Sequence, residues 1–521
     1  MSLGGTSSWV NVAQATFLPL GVLAALVLLA EWLKFSGLLP RTIPAPREVG
    51  EVLWKDFGVL WYHLTATVQA AGAGFALAAS VSIGVAAVAA LVPRIGAIVY
   101  NGAIVAYSMP LIALAPVLVV WFGTGIGPRV VIAALAAYFP ILVGAMKGLA
   151  AADRRSQELF RICAANRLQR FTLLAFPTSL PYIFSGLKVA AAGAILGTIV
   201  SEWVGAERGL GVMMAYALFA FDVPQVWLAI LVAILLAILA FLIVHAVDRA
   251  IVDWVPDHAD FDRDGLEDAG GEGRPKLNVK GSAARFAIFL IALVGTWYGF
   301  IWLLDLKPYT LPSPAAAIEA LAENRQSLLI ATWFTVRTGL LGMLVSTAVA
   351  LSVAGLFVNS PTAARALMPY AVAVRSVPIV AVAPLITLFM GRGLAAGVTI
   401  VLIATFFPIF VNALRGFSSV RERFLELMHV NAATPSQTLF MLRLPFSVPH
   451  IFAGLSAAAP VALLSAMLAE WLTGSRGLGL SMLESMSVLD APLLWAGMLI
   501  SMSLGLTIFW ATTLVERLAR K

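Results

Sequence analysis

PTSLPYIFSGL, residues 177–187, returns as PFSVPHIFAGL at 445–455, and EWVGAERGLG, residues 202–211, returns as EWLTGSRGLG at 470–479. Both pairs stand 268 residues apart. Outward from these blocks, Pro44, Thr67, Gly74, Pro110, Pro116, Gly123 and Pro140 map onto Pro312, Thr335, Gly342, Pro378, Pro384, Gly391 and Pro408 with the same offset. Across Phe176–Leu187 and Glu202–Gly211, 13 of 22 aligned positions are identical, where composition alone would give roughly one in ten. The polypeptide is two copies of one unit, and its function belongs to the pair.

Apolar residues make up 61% of the 521 and charged residues 12%, about half the charge of a soluble domain. That is the composition of an integral membrane protein. Stretches of the roughly 20 residues needed to cross hydrocarbon fall near 17–34, 62–92, 96–122, 128–147, 181–203 and 227–247. The second unit offers 284–304, 328–358, 364–391, 395–416, 449–472 and 494–515. The prediction is an all-α membrane protein of about twelve transmembrane helices in two parallel six-helix repeats, since barrel strands would alternate over about ten residues. The formal charge of +7 sits in loops between apolar spans, which fits anchoring against anionic lipid rather than binding to nucleic acid. A single cysteine, Cys163, excludes an internal disulfide and a cysteine-built metal site; it reads as a small packing residue. The five histidines are scattered without ligand spacing, so no metal is expected.

Residues 253–285 hold eight Asp/Glu and five Lys/Arg around AGGEGRP, too polar to bury a core. This divides the chain into a first membrane domain, 1–252, a charged linker, 253–283, and a second membrane domain, 284–521. DFDRDG from Asp260 begins like a calcium loop, but its twelfth position is Gly271 rather than Glu, so the segment reads as a solvated tether. Basic residues concentrate between the fourth and fifth spans: Lys147, Arg154, Arg155, Arg161, Arg167 and Arg170 in one copy, Arg415, Arg421, Arg423 and Arg443 in the other. By the positive-inside bias these loops, the linker and both termini are cytoplasmic.

Within those loops, Glu158–Phe171 and Glu426–Phe440 have the length for one or two helices at the membrane surface. The pairs Pro177/Pro181 and Pro445/Pro449 are expected to stop one helix and start the next, tying a crosswise element to the fifth span. ELFRICAANRLQRFTLLAFPTSLPYIFSGL from Glu158 resembles the cytoplasmic "EAA" loop of permease subunits of bacterial ABC importers. MPLIALAPVLVVWFGTG from Met109 and EWVGAERGLG look like the nitrate/taurine/sulfonate branch. The resemblance covers nearly all of both halves, so two permease units are fused in one chain. It implies a non-enzymatic component of the bacterial inner membrane, with coupling loops at Glu158, Arg161, Ala164 and Ala165 and at Glu426, His429, Ala432 and Ala433. The family usually carries Gly where this chain has Ala164 and Ala432. In the second copy, Thr434-Pro435 stands where a helix would continue, which predicts an altered coupling geometry.

No G-x-x-x-x-G-K-[ST] loop occurs, so the chain has no cofactor of its own; ATP and Mg belong on two copies of a separate ATPase subunit. The resemblance further implies an extracytoplasmic solute-binding protein and a small substrate: a sulfonate, nitrate, bicarbonate or a pyrimidine precursor.

For the translocation path, Ser108, Met109 and Pro110 align with Ser376, Val377 and Pro378, with Arg375 beside them; each proline frees a carbonyl toward a cavity. Arg375 reads either as a path residue or as a snorkelling arginine. Glu202-Trp203 and Glu470-Trp471 close the fifth spans, as a gate or as solvated caps. Arg337 and Lys188 read as interfacial anchors. On residues alone, the alternative is a twelve-helix ion-coupled secondary transporter, disfavoured by central spans nearly free of Asp and Glu.

Overall fold

The computed structural model describes residues 28–29, 31–37, 43–92, 95–96, 98–100, 102–103, 111–203, 206–252, 291, 294–303, 305, 307–308, 311–360, 362–364, 366–368 and 379–519. The linker, most of the predicted span 17–34, part of the predicted span 284–304, and Ser108, Met109, Pro110, Arg375, Ser376 and Pro378 lie outside the described residues.

Helical residues at 31–35 and 294–303 precede a short helix in each half, α1 (Pro46–Lys55) or α9 (Pro314–Glu323). Proline at the first position suits both starts, and each has its cap. Glu48 Oε2 accepts the Ala45 N–H at 3.0 Å, and Ser313 Oγ accepts the Ala316 N–H at 3.2 Å. The first half continues through α2 (Phe57–Leu91), α3 (Leu111–Phe122), α4 (Ile126–Ala150), α5 (Arg154–Ile162), α6 (Phe176–Glu202), α7 (Leu210–Phe219) and α8 (Val223–Ile251). The second continues through α10 (Arg325–Asn359), α11 (Ile379–Met390), α12 (Leu394–Ser418), α13 (Glu422–Val430), α14 (Leu444–Thr473), α15 (Leu478–Ser487) and α16 (Ala491–Ala519). Every boundary recurs at the sequence offset except the end of α14, which runs on to Thr473.

Most of the described residues are helical, and none of them lies in a strand. Seven of the helices are long and apolar enough to cross a membrane, and Ala491–Gly505 is a shorter apolar stretch. The four short helices α1, α7, α9 and α15 have no place in a reading built on spans.

In each half α4 or α12 packs between α2 and α6, or α10 and α14. The contact face of α2 carries Ala66, Ala70, Gly74, Ala78, Ser82 and Ala86, all buried and four residues apart. On α10 the row is Thr338, Gly342, Ser346, Ala350 and Ala354. A four-residue step keeps one helix face, and small side chains let helices approach closely where lipid supplies no hydrophobic drive. A Cβ at Gly74 would overlap that of Ala133, and one at Gly342 would overlap that of Val401.

The halves interlock. Leu385 on α11 is buried in a cluster with Ile199, Leu210 and Met213 of the first half. Its counterpart Val117 on α3 is buried with Met467, Leu478 and Met482 of the second. Each unit thus completes the other's core.

Lys188, expected as an interfacial anchor, is only 3% exposed and lies 3.0 Å from Asp248 of α8. Both ions are out of water, so mutual attraction must offset their desolvation. The aligned position in the second half is Ser456, also buried. Arg337 is half-buried, with its guanidinium 5.0 Å from the centre of the Phe334 ring one turn earlier.

Candidate functional site

Two structures sit at opposite ends of α6 and are repeated on α14. The first is an elbow between α4 and α6. Asp153 caps α5, its carboxylate accepting the Ser156 N–H at 3.1 Å; these bonds from Ser156 hold its carboxyl below the usual range. The helix ends in a tight reversal, with the Ala164 N–H donating to Arg161 O at 3.0 Å and the Ala165 N–H to Phe160 O at 3.0 Å. Ala164 takes φ of 52°, the left-handed conformation that usually falls to Gly at this position. Asn166 then caps the next turn: its Oδ1 accepts the Gln169 N–H at 2.8 Å and its own N–H donates back to Gln169 Oε1 at 2.9 Å.

From the reversal onward the second elbow has the same construction. Ala432 N–H donates to His429 O at 2.9 Å, Ala433 N–H to Met428 O at 3.0 Å, and φ at Ala432 is 50°. Thr434 replaces Asn166 as cap, accepting the Gln437 N–H at 3.3 Å, and Pro435 fills the first helical position, which needs no donor. Thr434-Pro435 thus starts this helix where Asn166-Arg167 starts it in the first copy, and the difference between the copies lies earlier, where Arg421 makes no side-chain cap in place of Asp153.

A correction concerns the proline pairs. The chain reverses at Cys163–Asn166, and one continuous helical run follows from Arg167 to Glu202. Pro177 and Pro181 lie inside that run. Pro177 offers no N–H and its ring crowds the carbonyl four residues back. Residues Phe171–Ala175 accommodate this as a wider π-helical turn, as do Thr438–Arg443 before Pro445.

Glu158, Arg161 and Ala164 are exposed and Ala165 half-buried; Glu426, His429, Ala432 and Ala433 repeat this pattern. Beside them Leu159 is 58% and Ile162 82% exposed, matched by Leu427 at 57% and Val430 at 82%. Cys163, expected to be a packing residue, is exposed in the reversal.

The second structure is a hairpin after α6. The solvated-cap reading of Glu202 and Glu470 is excluded, since each is only 2% exposed. Thr67 of α2 donates its hydroxyl to Glu202 Oε1 at 2.7 Å and accepts the Leu210 N–H at 2.8 Å, while Glu202 Oε2 accepts the Gly211 N–H at 2.8 Å. The carboxylate thus fixes the start of α7 to the end of α6 and to α2. In the second half Thr335 donates to Glu470 Oε2 at 2.9 Å and accepts the Leu478 N–H at 2.9 Å, and the Gly479 N–H donates to the same oxygen at 2.9 Å. A Cβ at Gly209 or Gly477 would overlap these carboxyl groups, which explains the first glycine of each RGLG. Trp203 and Trp471 are half-buried and pack against the cluster of Leu210 and Met213.

Thr67 and Thr335 were visible as aligned residues, but nothing in their spacing marked them as carboxylate partners. Two more residues join the first hairpin: His63, whose Nδ1 accepts the Gly209 N–H at 3.1 Å, and Arg129, which donates to Arg208 O at 3.0 Å. Among the described residues, no cluster of His, Cys, Asp or Glu could hold a metal ion.

Residues 70–253 and 346–521 each match the family described as binding-protein-dependent transport system inner membrane component. The formylaminopyrimidine transport permease protein ThiX of Halalkalibacterium halodurans is 32% identical over 216 residues, 41% of this chain and 86% of its own. The riboflavin transport system permease protein RibX of Chloroflexus aurantiacus is 28% identical over 239 residues, 46% of this chain and 89% of its own. The taurine transport system permease protein TauC of Escherichia coli is 28% identical over 261 residues, 47% and 92% respectively. Such relatives correspond in length to one half. With the family matched twice, on a duplicated set of apolar helices, the chain belongs to the binding-protein-dependent transport system inner membrane components and carries two such units fused in one polypeptide.

Proposed function

We propose that this chain forms the translocation path of an ATP-driven importer, and that each elbow docks one separate ATPase subunit, where ATP and Mg bind. The observation that carries this reading is the matched geometry of the elbows, each presenting two large apolar side chains to solvent at the start of a membrane span. A soluble face of that kind is costly unless a partner covers it. The one continuous run from Arg167 to Glu202 gives a rigid lever from the elbow to the hairpin at the other end of α6.

In this reading the elbows, linker and termini face the bacterial cytoplasm, and the hairpins face a solute-binding protein outside. The domains are 1–252 and 284–521, joined by 253–283. Ser108, Met109, Pro110, Arg375, Ser376 and Pro378 border the path, with Glu202, Trp203, Glu470 and Trp471 holding its outer mouth. Relatives named for formylaminopyrimidine, riboflavin, taurine and aliphatic sulfonates support a small polar organic solute as cargo.

The test is joint charge reversal, Glu158→Lys with Glu426→Lys, in the reconstituted transporter. ATPase association and uptake are expected to fall together. Unchanged association and uptake would overturn the docking assignment, and uptake abolished by an ionophore yet indifferent to ATP depletion would favour an ion-coupled transporter.

A further inference from the structure

The two hairpins share one clamp but differ in everything that surrounds it. In the first half, the turn before α7 is held from two further helices. His63 on α2 receives the Gly209 N–H. Arg129 on α4, only 9% exposed, donates to Arg208 O at 3.0 Å and to Gly125 O at 3.3 Å. The Arg208 guanidinium itself lies 5.3 Å from the centre of the Tyr62 ring.

At the same offset the second half has Ala331 for His63, Gly397 for Arg129 and Ile330 for Tyr62. Ala331 has no ring nitrogen to receive the Gly477 N–H, and Gly397 has no side chain to reach Arg476 O. Arg476 is exposed where Arg208 is half-buried. The contacts peculiar to this turn are internal: Thr473 and Ser475 share a hydroxyl bond of 2.7 Å, and the Ser475 N–H donates to Glu470 O at 3.2 Å. They tie the turn to the end of α14 and to nothing else. Glu470 Oε1 has no hydrogen-bond partner, whereas both oxygens of Glu202 are used.

We infer that the hairpins are mechanically unequal: residues 206–210 form a fixed post, and residues 474–478 form the leaf that opens. Local opening requires breaking the contacts that close a segment. Among the described residues, freeing the second turn from neighbouring helices breaks only the clamp to Thr335, while freeing the first also breaks the bonds to His63 and Arg129. As the outer gate of the importer proposed above, the transporter would admit its solute past the second half. That step rests on the assignment of these hairpins to the outer mouth; the inequality itself does not.

Hydrogen exchange followed by mass spectrometry on the full chain in lipid nanodiscs tests the inequality without any transport assay. Amides of 476–478 are expected to exchange at least about tenfold faster than those of 208–210, the factor that one or two net hydrogen bonds supply. Equal exchange, or faster exchange at 208–210, would overturn the inference. His63→Ala is expected to speed exchange at 208–210 and leave 476–478 unchanged; no effect there removes the post. Conversely, Ala331→His with Thr338→Ala and Gly397→Arg transplants the missing contacts. Thr338 must shrink, because a Cβ at Gly397 would stand 2.8 Å from its methyl group. This graft should slow exchange at 476–478 and reduce uptake, with Thr338→Ala alone as its control. Slower exchange with full uptake leaves the inequality standing and rejects the gating role.

Discussion

Thr67 donates its hydroxyl to Glu202 across 2.7 Å, although 135 residues separate them. The same oxygen accepts the Leu210 N–H, so one side chain serves a buried carboxylate and a helix start together. Thr67→Val keeps the shape and removes both bonds, leaving buried groups unsatisfied at about 1–3 kcal/mol each. Thermal unfolding in detergent should show the loss, with Thr67→Ser close to the parent. Thr335→Val should act alike, and the double variant should be near the sum of the two, since the clamps share no partner. A Thr67→Val protein as stable as the parent would mean the clamp contributes nothing.

The buried pair of Lys188 and Asp248 gives a second test. Lys188→Met removes the ammonium that lies 3.0 Å from the buried Asp248 carboxylate and should cost about 3–5 kcal/mol. Lys188→Met with Asp248→Leu should recover most of that loss, because desolvation of both ions is then avoided. Fluorescence-detected size exclusion after heating distinguishes the two; a double variant as unstable as the single would show the pair is not the cause.

At the elbows, Ala164 and Ala432 occupy left-handed backbone at φ of 52° and 50°. Ala164→Gly removes a Cβ penalty of about 1–2 kcal/mol, partly offset by the greater freedom of Gly in the unfolded chain. The net gain should be up to about 1 kcal/mol in thermal stability, while Ala164→Val should lose stability and ATPase association together. The same pair of outcomes is expected at Ala432.

Acid should act on one elbow and spare the other. Asp153 caps α5 as a carboxylate held below its ordinary range by its bonds from Ser156. A depressed folded value means the cap's contribution is present above the unfolded carboxylate range, near pH 4, and fades as pH falls through the folded value. At the aligned position Arg421 makes no side-chain cap. Exchange at 154–158 should therefore rise on acidification below about pH 4, with no matching rise at 422–426, and Asp153→Asn should abolish that difference.

Much of this architecture was legible in the chain itself. The offset located both elbows and both hairpins, and the outer ends of the fifth spans fall within a few residues of expectation, because spans are set by continuous apolar length; their starts do not, since the helical runs begin at Arg167 and Pro435, fourteen residues before the expected 181 and 449. The short helices α1, α7, α9 and α15 escaped, being ten residues each, below any span threshold. Proline misled at Pro177, since a π turn upstream absorbs what was expected to be a break. Lys188 misled because a lone lysine on an apolar helix looks like an anchor until Asp248, from another helix, is seen beside it. His63 and Arg129 differ between the copies, so a search for repeated residues passed them over.

The exchange of Val117 and Leu385 between cores has a consequence for biosynthesis. The cluster around Leu210 is not complete until Leu385 has been made, 175 residues later by the difference of their numbers. At about 5–20 residues per second that is a wait of roughly ten to thirty-five seconds. For that interval the first six-helix unit stands in the bilayer with an unfilled seam, so the newborn protein depends on its own second half arriving before a neighbour occupies the gap.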